Sequence, residues 1–387
     1  LVPWETLAAE MTNRYEERSR LSGVRMICSQ LGGFLAVSVP GVIMQFTGKD
    51  NPFTYTLTGL IFSCVFCIAV FITWYTTWEA KDVQQESDFK VDNQRSSGIL
   101  NHLKYLVLDL FSSFRIRAFR LHIIIYIFSF TAMDVFGSVF TYYVVYCLSQ
   151  DAAAVSGWLS IAAFASVPGT YGFMLLLNRL NVTPSAALRL SYGCIFCVLV
   201  FLFTVYLTET QVPTLLFSAV FILLGAARSG LYYIPWNIYS FIPDIDEMVT
   251  QQRREGIFAG VMVLTRKSTV AIAIMIIGLV LQESGFVKGS GAQPESALGA
   301  IIGLMIFATA ALLAVSFFTT YKFKLTRETH KLLLKEIARR KLGGDYRDCD
   351  ARTRVIIKQL TGYEYDQVWG GDATRQTVGS AHLSPVK

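Results

Sequence analysis

Charge is scarce in this chain. Lys, Arg, Asp and Glu make up 16% of its 387 residues while 53% are hydrophobic, and the mean hydropathy is +0.45. Soluble domains carry about 25% charged residues, so that class is excluded. Also missing are a phosphate-cradling glycine loop, an ATPase signature and a catalytic constellation. Enzyme activity has no support in the sequence, no cofactor is expected, and energy for any work must come from an ion gradient. No Met opens the chain, and no charged segment leads into a short apolar core with a cleavage site. The expectation is that Leu1 is neither a natural start nor part of a signal peptide.

Cysteine is present without the company that gives it chemistry. Cys64/Cys67 and Cys194/Cys197 make two Cys-x-x-Cys pairs, each inside an unbroken apolar run with no His or charge nearby. Zinc or redox work needs a polar, accessible site with two further ligands. These cysteines read as small side chains facing lipid or a neighbouring helix, and no metal is expected.

What the chain has is apolar length. A membrane-crossing helix needs about 20 apolar residues, and eight runs qualify, at roughly 24–46, 53–78, 119–147, 153–177, 187–208, 213–243, 257–281 and 297–321. Residues 1–9 read as the inner end of a ninth helix. The expected fold is an all-α membrane protein. Lys and Arg cluster in 10–25, 79–120, 178–189, 244–256 and 322–387, whereas the opposite connections hold only Lys49 and Lys288. That asymmetry puts the clustered side, and the C-terminus, in the cytoplasm. The net charge of +6 thus reports topology, and no nucleic-acid partner is needed to explain it.

The runs divide two and six. Residues 1–78 read as the remainder of an N-terminal helix bundle, 79–118 as a cytoplasmic connector, 119–321 as a C-terminal six-helix bundle and 322–387 as a cytoplasmic tail. In the connector, Leu100, Leu103, Leu106/Val107 and Leu110/Phe111 recur at helical spacing, the pattern of a helix lying on the membrane surface. In the tail, Leu333, Leu334, Ile337, Ala338 and Leu342 form a partial stripe. Beyond Gly343-Gly344 the composition predicts a loosely ordered polar segment.

Charges inside spans demand an explanation, since each costs ~2.5–3.5 kcal/mol at a helix centre on insertion scales. Asp134 shares one helix face with Ser138, Thr141 and Tyr142; it lines a watery cavity, sits in a buried salt bridge or is an interfacial aspartate. Arg228 is followed at helical spacing by Tyr232, Pro235, Trp236 and Tyr239, in a helix that Gly225, Gly230 and Pro235 weaken. Those aromatics suit either sugar stacking or an interfacial belt. Lys267 lies too deep to snorkel and Arg266 points about 100° away from it. Lys267 therefore reads as the fixed partner of a carboxylate that a coupling cation neutralises, or as a structural ion pair. Arg18, Arg25, Arg253 and Arg254 flank the cytoplasmic ends with Glu10, Glu17, Asp244 and Glu255. They read as a gate, as topology determinants, or as both.

Two edges of the chain repeat one pattern. Pro3-Trp4 runs through Glu10, Thr12 and Glu17-Arg18 to Gly23 and Arg25. Pro235-Trp236 runs through Pro243-Asp244 to Arg253-Arg254-Glu255-Gly256. Weak internal repeats on membrane helices mark two-lobed secondary transporters. The first copy resembles the loop after the fourth helix of the glycoside–pentoside–hexuronide:cation symporters, the melibiose permease family within the major facilitator superfamily. Ile242-Pro243-Asp244, Arg253 to Phe258 and Arg266-Lys267 resemble that family's lead into its eleventh helix, and Phe114 to Leu121 its lead into the seventh. The likeness covers about residues 1–342. It implies twelve helices, of which five to twelve are here and three with most of a fourth are absent. It makes Lys267 the counterpart of the helix-eleven lysine near the coupling ion, and Arg25 that of an arginine bordering the sugar pocket. Two positions depart from the pattern: Leu1, two residues before Pro3, stands where the family has its sugar-binding acid, and Glu5, next to Trp4, stands where it has its stacking aromatic.

The sequence reading is therefore a cation- or proton-coupled sugar or glycoside symporter of facilitator type, monomeric, in the plasma or bacterial inner membrane. Arg25, Asp134, Tyr142, Arg228 and Tyr232 are its candidate substrate contacts, with Lys267 and Asp134 at the coupling Na+ or H+. Glu10, Arg18, Asp244, Arg253 and Arg254 form its candidate cytoplasmic gate. A lysolipid carrier of the same fold group and a non-transporting truncated membrane protein remain as alternatives. A small-molecule substrate and membrane lipids are the expected partners.

Overall fold

The computed structural model describes residues 15–47, 52–76, 112–150, 152–208, 213–252, 254–288, 290 and 292–369. The connector's expected surface helix, Glu10 and Arg253 lie outside these residues. Helices and the turns between them account for the described residues, and among them there is no strand. Helix α1 spans Tyr15–Thr47 and α2 Pro52–Thr76. Helix α3 spans Arg117–Cys147 and ends in a π-turn at Tyr143–Cys147. Then come α4 (Ala152–Asn178), α5 (Pro184–Thr208) and α6 (Thr214–Tyr239). A short α7 (Ile242–Thr250) follows, then α8 (Glu255–Glu283) and α9 (Glu295–Lys322), the last with a π-turn at Gly303–Ala308. Seven of these helices are long and apolar enough to cross a bilayer. The run expected at 24–46 lies within α1, whose first turns are charged.

Helix α3 is the centre of the bundle. Of its most apolar stretch 61% is buried, against 11% for α8 and none for α2. Helices α6, α8 and α9 pack on α3, α4 and α5 pack on α6, and α1 joins through α4 and α6. Polar side chains tie the centre together, as they must where no water can serve them. The Tyr143 hydroxyl donates to the Leu202 carbonyl at 2.7 Å. Ser129 on α3 meets the Tyr192 hydroxyl of α5 at 2.8 Å and Ser316 of α9 at 3.2 Å.

The glycines of α6 have a different use from the one expected. The helix runs unbroken from Thr214 to Tyr239 with Pro235 inside it. Gly225 lies against the Ala162 backbone of α4, and a side chain on Gly169 of α4 would stand 2.7 Å from Cα of Ala226. Small residues at both contact points let α4 and α6 approach closely, the usual device of membrane helix pairs. The weakness read from the composition is close packing.

The C-terminal segment also departs from expectation. Helix α10 (Arg327–Lys341) starts at a capping box made by Thr326 and Thr329. It buries His330, Leu333, Glu336 and Ile337, whereas Leu342 is exposed. Beyond Gly343, Asp350 caps a further helix, α11 (Ala351–Thr361), by accepting from the Thr353 amide at 2.9 Å. Ile356, Ile357 and Leu360 of α11 are buried, and it packs on α3, α7 and α10. Three apolar residues within one turn and a half suffice for docking, although the surrounding composition is polar.

Candidate functional site

Side chains at i and i+4 share a helix face, and two such rows meet. Helix α3 presents Tyr126, Phe130 and Asp134, and α6 presents Arg228, Tyr232 and Trp236. Phe130 and Tyr232 touch edge to face with ring centroids 4.6 Å apart; Tyr126 meets Phe130 at 4.6 Å and Trp236 at 5.8 Å. Arg25 of α1 lies over the Trp236 ring at 4.7 Å. At the other end Arg266 of α8 covers Phe130 at 5.2 Å and binds Asp134 through both guanidinium nitrogens, at 2.5 and 2.8 Å. Arg228 stands over Tyr232 at 5.1 Å and donates to its hydroxyl at 3.3 Å, within Coulombic reach of Asp134. The result is one wall of aromatic rings with a charge cluster at one end and Arg25 at the other.

Four expected substrate contacts, Arg25, Asp134, Arg228 and Tyr232, come together on this wall. Tyr142 does not: it packs on Tyr146 and Phe286, two turns beyond Asp134. Lys267 is exposed and has no hydrogen-bond or ion-pair partner among the described residues. Asp134 pairs with Arg266, whereas Lys267, expected to partner a carboxylate, has none within reach among the described residues. Adjacent helical residues diverge by about 100°, so only one of the two can face α3. Sequence reasoning also passed over Phe130 and Tyr126, whose signal was their spacing of four and eight residues before Asp134.

A second polar cluster joins α1, α6, α7 and α10. Arg18 of α1 is fully buried; it donates to Asp244 Oδ2 at 2.7 Å and to the Ser240 carbonyl at 2.9 Å. His330 Nε2 of α10 reaches the same Asp244 oxygen at 2.8 Å. Beside it Asn237 donates to Ser19 at 2.8 Å, and Ser19 meets the Tyr233 hydroxyl at 3.1 Å. Arg254 grips Asp246 at 2.8 and 2.7 Å and donates to Ser112 at 3.0 Å. Lys341 of α10 pairs with Glu247 at 2.5 Å. Of the expected gate residues, Arg18 and Asp244 thus meet, Arg254 holds Asp246 next door, and Glu10 and Arg253 fall outside the described residues. His330 was legible only as one residue of a helix face with Leu333 and Ile337.

Outside the spans, Glu336 of α10 is buried, which by itself would raise its pKa. The Arg339 guanidinium, at 3.0 and 2.8 Å, and the Tyr365 hydroxyl hold it below the ordinary carboxylate value instead. Tyr365 in turn is pushed up by burial and by that carboxylate. Among the described residues no group of three His, Cys, Asp or Glu converges as a metal site.

Long apolar helices around a central α3, with few charges in their spans, define an integral membrane helix bundle of facilitator type. The chain belongs to the family described as MFS/sugar transport protein, which matches residues 2–327. It is 29% identical over 271 residues to the uncharacterized symporter sll1374 of Synechocystis, a match spanning 65% of this chain and 46% of that protein. It is 22% identical over 344 residues to the uncharacterized symporter YnaJ of Bacillus subtilis, spanning 88% of this chain and 69% of that one. The chain thus spans about half the length of the first of these relatives.

Proposed function

We propose that this chain is part of a secondary active transporter that couples uptake of a sugar-like solute to a cation, Na+ or H+, by alternating access. The observation that carries the reading is the wall on α3, α6 and α8, a row of rings ending in the Asp134–Arg266 pair, about one-fifth exposed on each side. Rings supply flat apolar faces for a sugar. In this reading the cation takes the place of Arg266 on the Asp134 carboxylate, so ion binding opens the pair. Moving an unneutralised charge through the bilayer is costly, so solute and ion travel together.

In this reading residues 1–78 belong to one lobe and 119–321 to the other, with 79–118 joining them and 322–387 following. The Lys/Arg-rich end is cytoplasmic, and the Arg18–Asp244–His330 cluster is the gate closed at that end. Removing one partner of a buried ion pair of this kind costs about 3–5 kcal/mol, because the other charge is left buried alone; in this reading the gate opens only when both charges reach water together. Substrate and lipids are the partners, no cofactor takes part, and one copy suffices. The test is uptake of labelled glycosides into vesicles carrying the protein, with and without a sodium or pH gradient. Accumulation under a gradient supports the reading; uptake indifferent to every gradient removes the coupling.

A further inference from the structure

One outer corner of the bundle carries positive charge that no carboxylate answers. The start of α5 meets the end of α9 there, where the Ser185 hydroxyl donates to the Phe323 carbonyl at 3.1 Å. One turn into α5, the Arg189 guanidinium lies over the Tyr321 ring at 4.6 Å. Phe317 meets that ring edge to face at 5.6 Å and fixes its place. A guanidinium over a ring is held through its flat face, which leaves its five N–H donors for an acceptor. Among the described residues Arg189 has neither an ion pair nor a hydrogen bond, and the exposed Lys322 ammonium has none either. The flank of this corner is apolar. Phe318, Tyr321 and Lys322 share one exposed face of α9, and Leu190 beside Arg189 is exposed too. Both helices are long and apolar enough to cross a bilayer, so this face meets acyl chains and ends in cations.

We infer that Arg189, Tyr321 and Lys322 hold the headgroup of an anionic phospholipid, a phosphodiester such as that of phosphatidylglycerol, with its chains along Phe318 and Leu190. The guanidinium fork matches two phosphate oxygens with parallel charge-assisted bonds. Lys322 adds a second positive charge at the same level, and basic corners between membrane helices are where anionic headgroups bind. The Tyr321 ring sits at headgroup depth, with its hydroxyl toward water. A soluble phosphate would gain nothing from Phe318 and Leu190, whereas a lipid covers both. A zwitterionic lipid brings a cation of its own, which Arg189 and Lys322 repel. The site uses no residue of the ring wall on α3, α6 and α8, so it stands whatever solute the protein carries.

The test is native mass spectrometry of the purified full chain, delipidated in detergent and titrated with phosphatidylglycerol or phosphatidylcholine of identical chains. The expected result is a first phosphatidylglycerol bound at least about tenfold more tightly than phosphatidylcholine. Arg189→Gln should weaken it about fivefold or more, and Arg189→Lys should keep part of the preference. Arg179→Gln removes an exposed cation at the same end and should leave the preference unchanged. Phosphatidylcholine bound as tightly as phosphatidylglycerol overturns the site. Equal losses in Arg189→Gln and Arg179→Gln also overturn it, in favour of diffuse surface charge. Displacement of the lipid by an equal concentration of soluble glycerol phosphate overturns the lipid as occupant. Should Arg189→Gln fail to fold, Tyr321→Leu, which removes the ring under the guanidinium, takes its place with the same expected loss.

Discussion

Arg266 holds both carboxylate oxygens of Asp134, joining α8 to α3 through a bidentate pair that is about one-fifth exposed on each side. Its neighbour Lys267 faces outward. The two basic residues should therefore separate in a mutational test. Arg266→Ala leaves Asp134 without its partner, and about 1–3 kcal/mol of stability should go with it, together with gradient-driven uptake. Lys267→Ala should cost less than half as much in thermal stability. Equal losses for both would contradict the pairing.

The Arg18–Asp244 contact predicts a different readout. Both side chains are almost completely buried, so Arg18→Ala should destabilise the closed end by about 3–5 kcal/mol. A cysteine placed at Ser240 should then react with a water-soluble maleimide at least ten times faster than in the intact clamp. His330→Ala, which removes only the α10 contribution, should raise the rate by less. Unchanged labelling in Arg18→Ala would mean that the clamp does not close this end.

Glu336 makes the packing of α11 on α10 sensitive to acid. Its pKa in the fold lies below the ordinary value of 4.5, because the bonds from Arg339 and Tyr365 outweigh burial. The sign follows from linkage: the stabilisation is complete above the ordinary carboxylate value and is lost as pH falls through the lower, folded one. Limited proteolysis of the segment holding α11 should accelerate as pH drops from roughly 6 to 3. Glu336→Gln should flatten that dependence, and a variant as acid-sensitive as the parent would show that another group controls it.

Close packing at Gly225 is testable by size. Gly225→Leu has to push α6 off the Ala162 backbone of α4, a loss of about 1–3 kcal/mol or more from overpacking. The same change at Gly172 of α4, which faces open space, should be tolerated. Thermal unfolding in detergent compares the two directly.

Much of this molecule was legible in its sequence, for identifiable reasons. Bilayer thickness sets a length of apolar chain, so the long helices could be counted from runs alone. Asp134 and Arg228 stood out because charge is rare in such runs, and Tyr232 because it lies one turn from Arg228. Helix phase decided what was missed. Reading Arg266-Lys267 requires knowing which residue faces α3, and that is fixed by how α8 rolls against it. Tyr142 shared a face with Asp134, but the outer packing on Phe286 took it away from the wall. Helix α11 was hidden because Ile356, Ile357 and Leu360 are too few to lift a charged segment out of a disordered composition. Gly225 looked like a breaker because composition does not show that Ala162 comes to meet it.

The most direct test of the central claim is concentrative uptake of a labelled sugar or sugar acid by vesicles carrying the protein, under imposed sodium and pH gradients, in wild type and Asp134→Asn. The expected result is accumulation above equilibrium driven by one of the two gradients and abolished by Asp134→Asn. Accumulation that survives Asp134→Asn, or none in the wild type under either gradient, would contradict it.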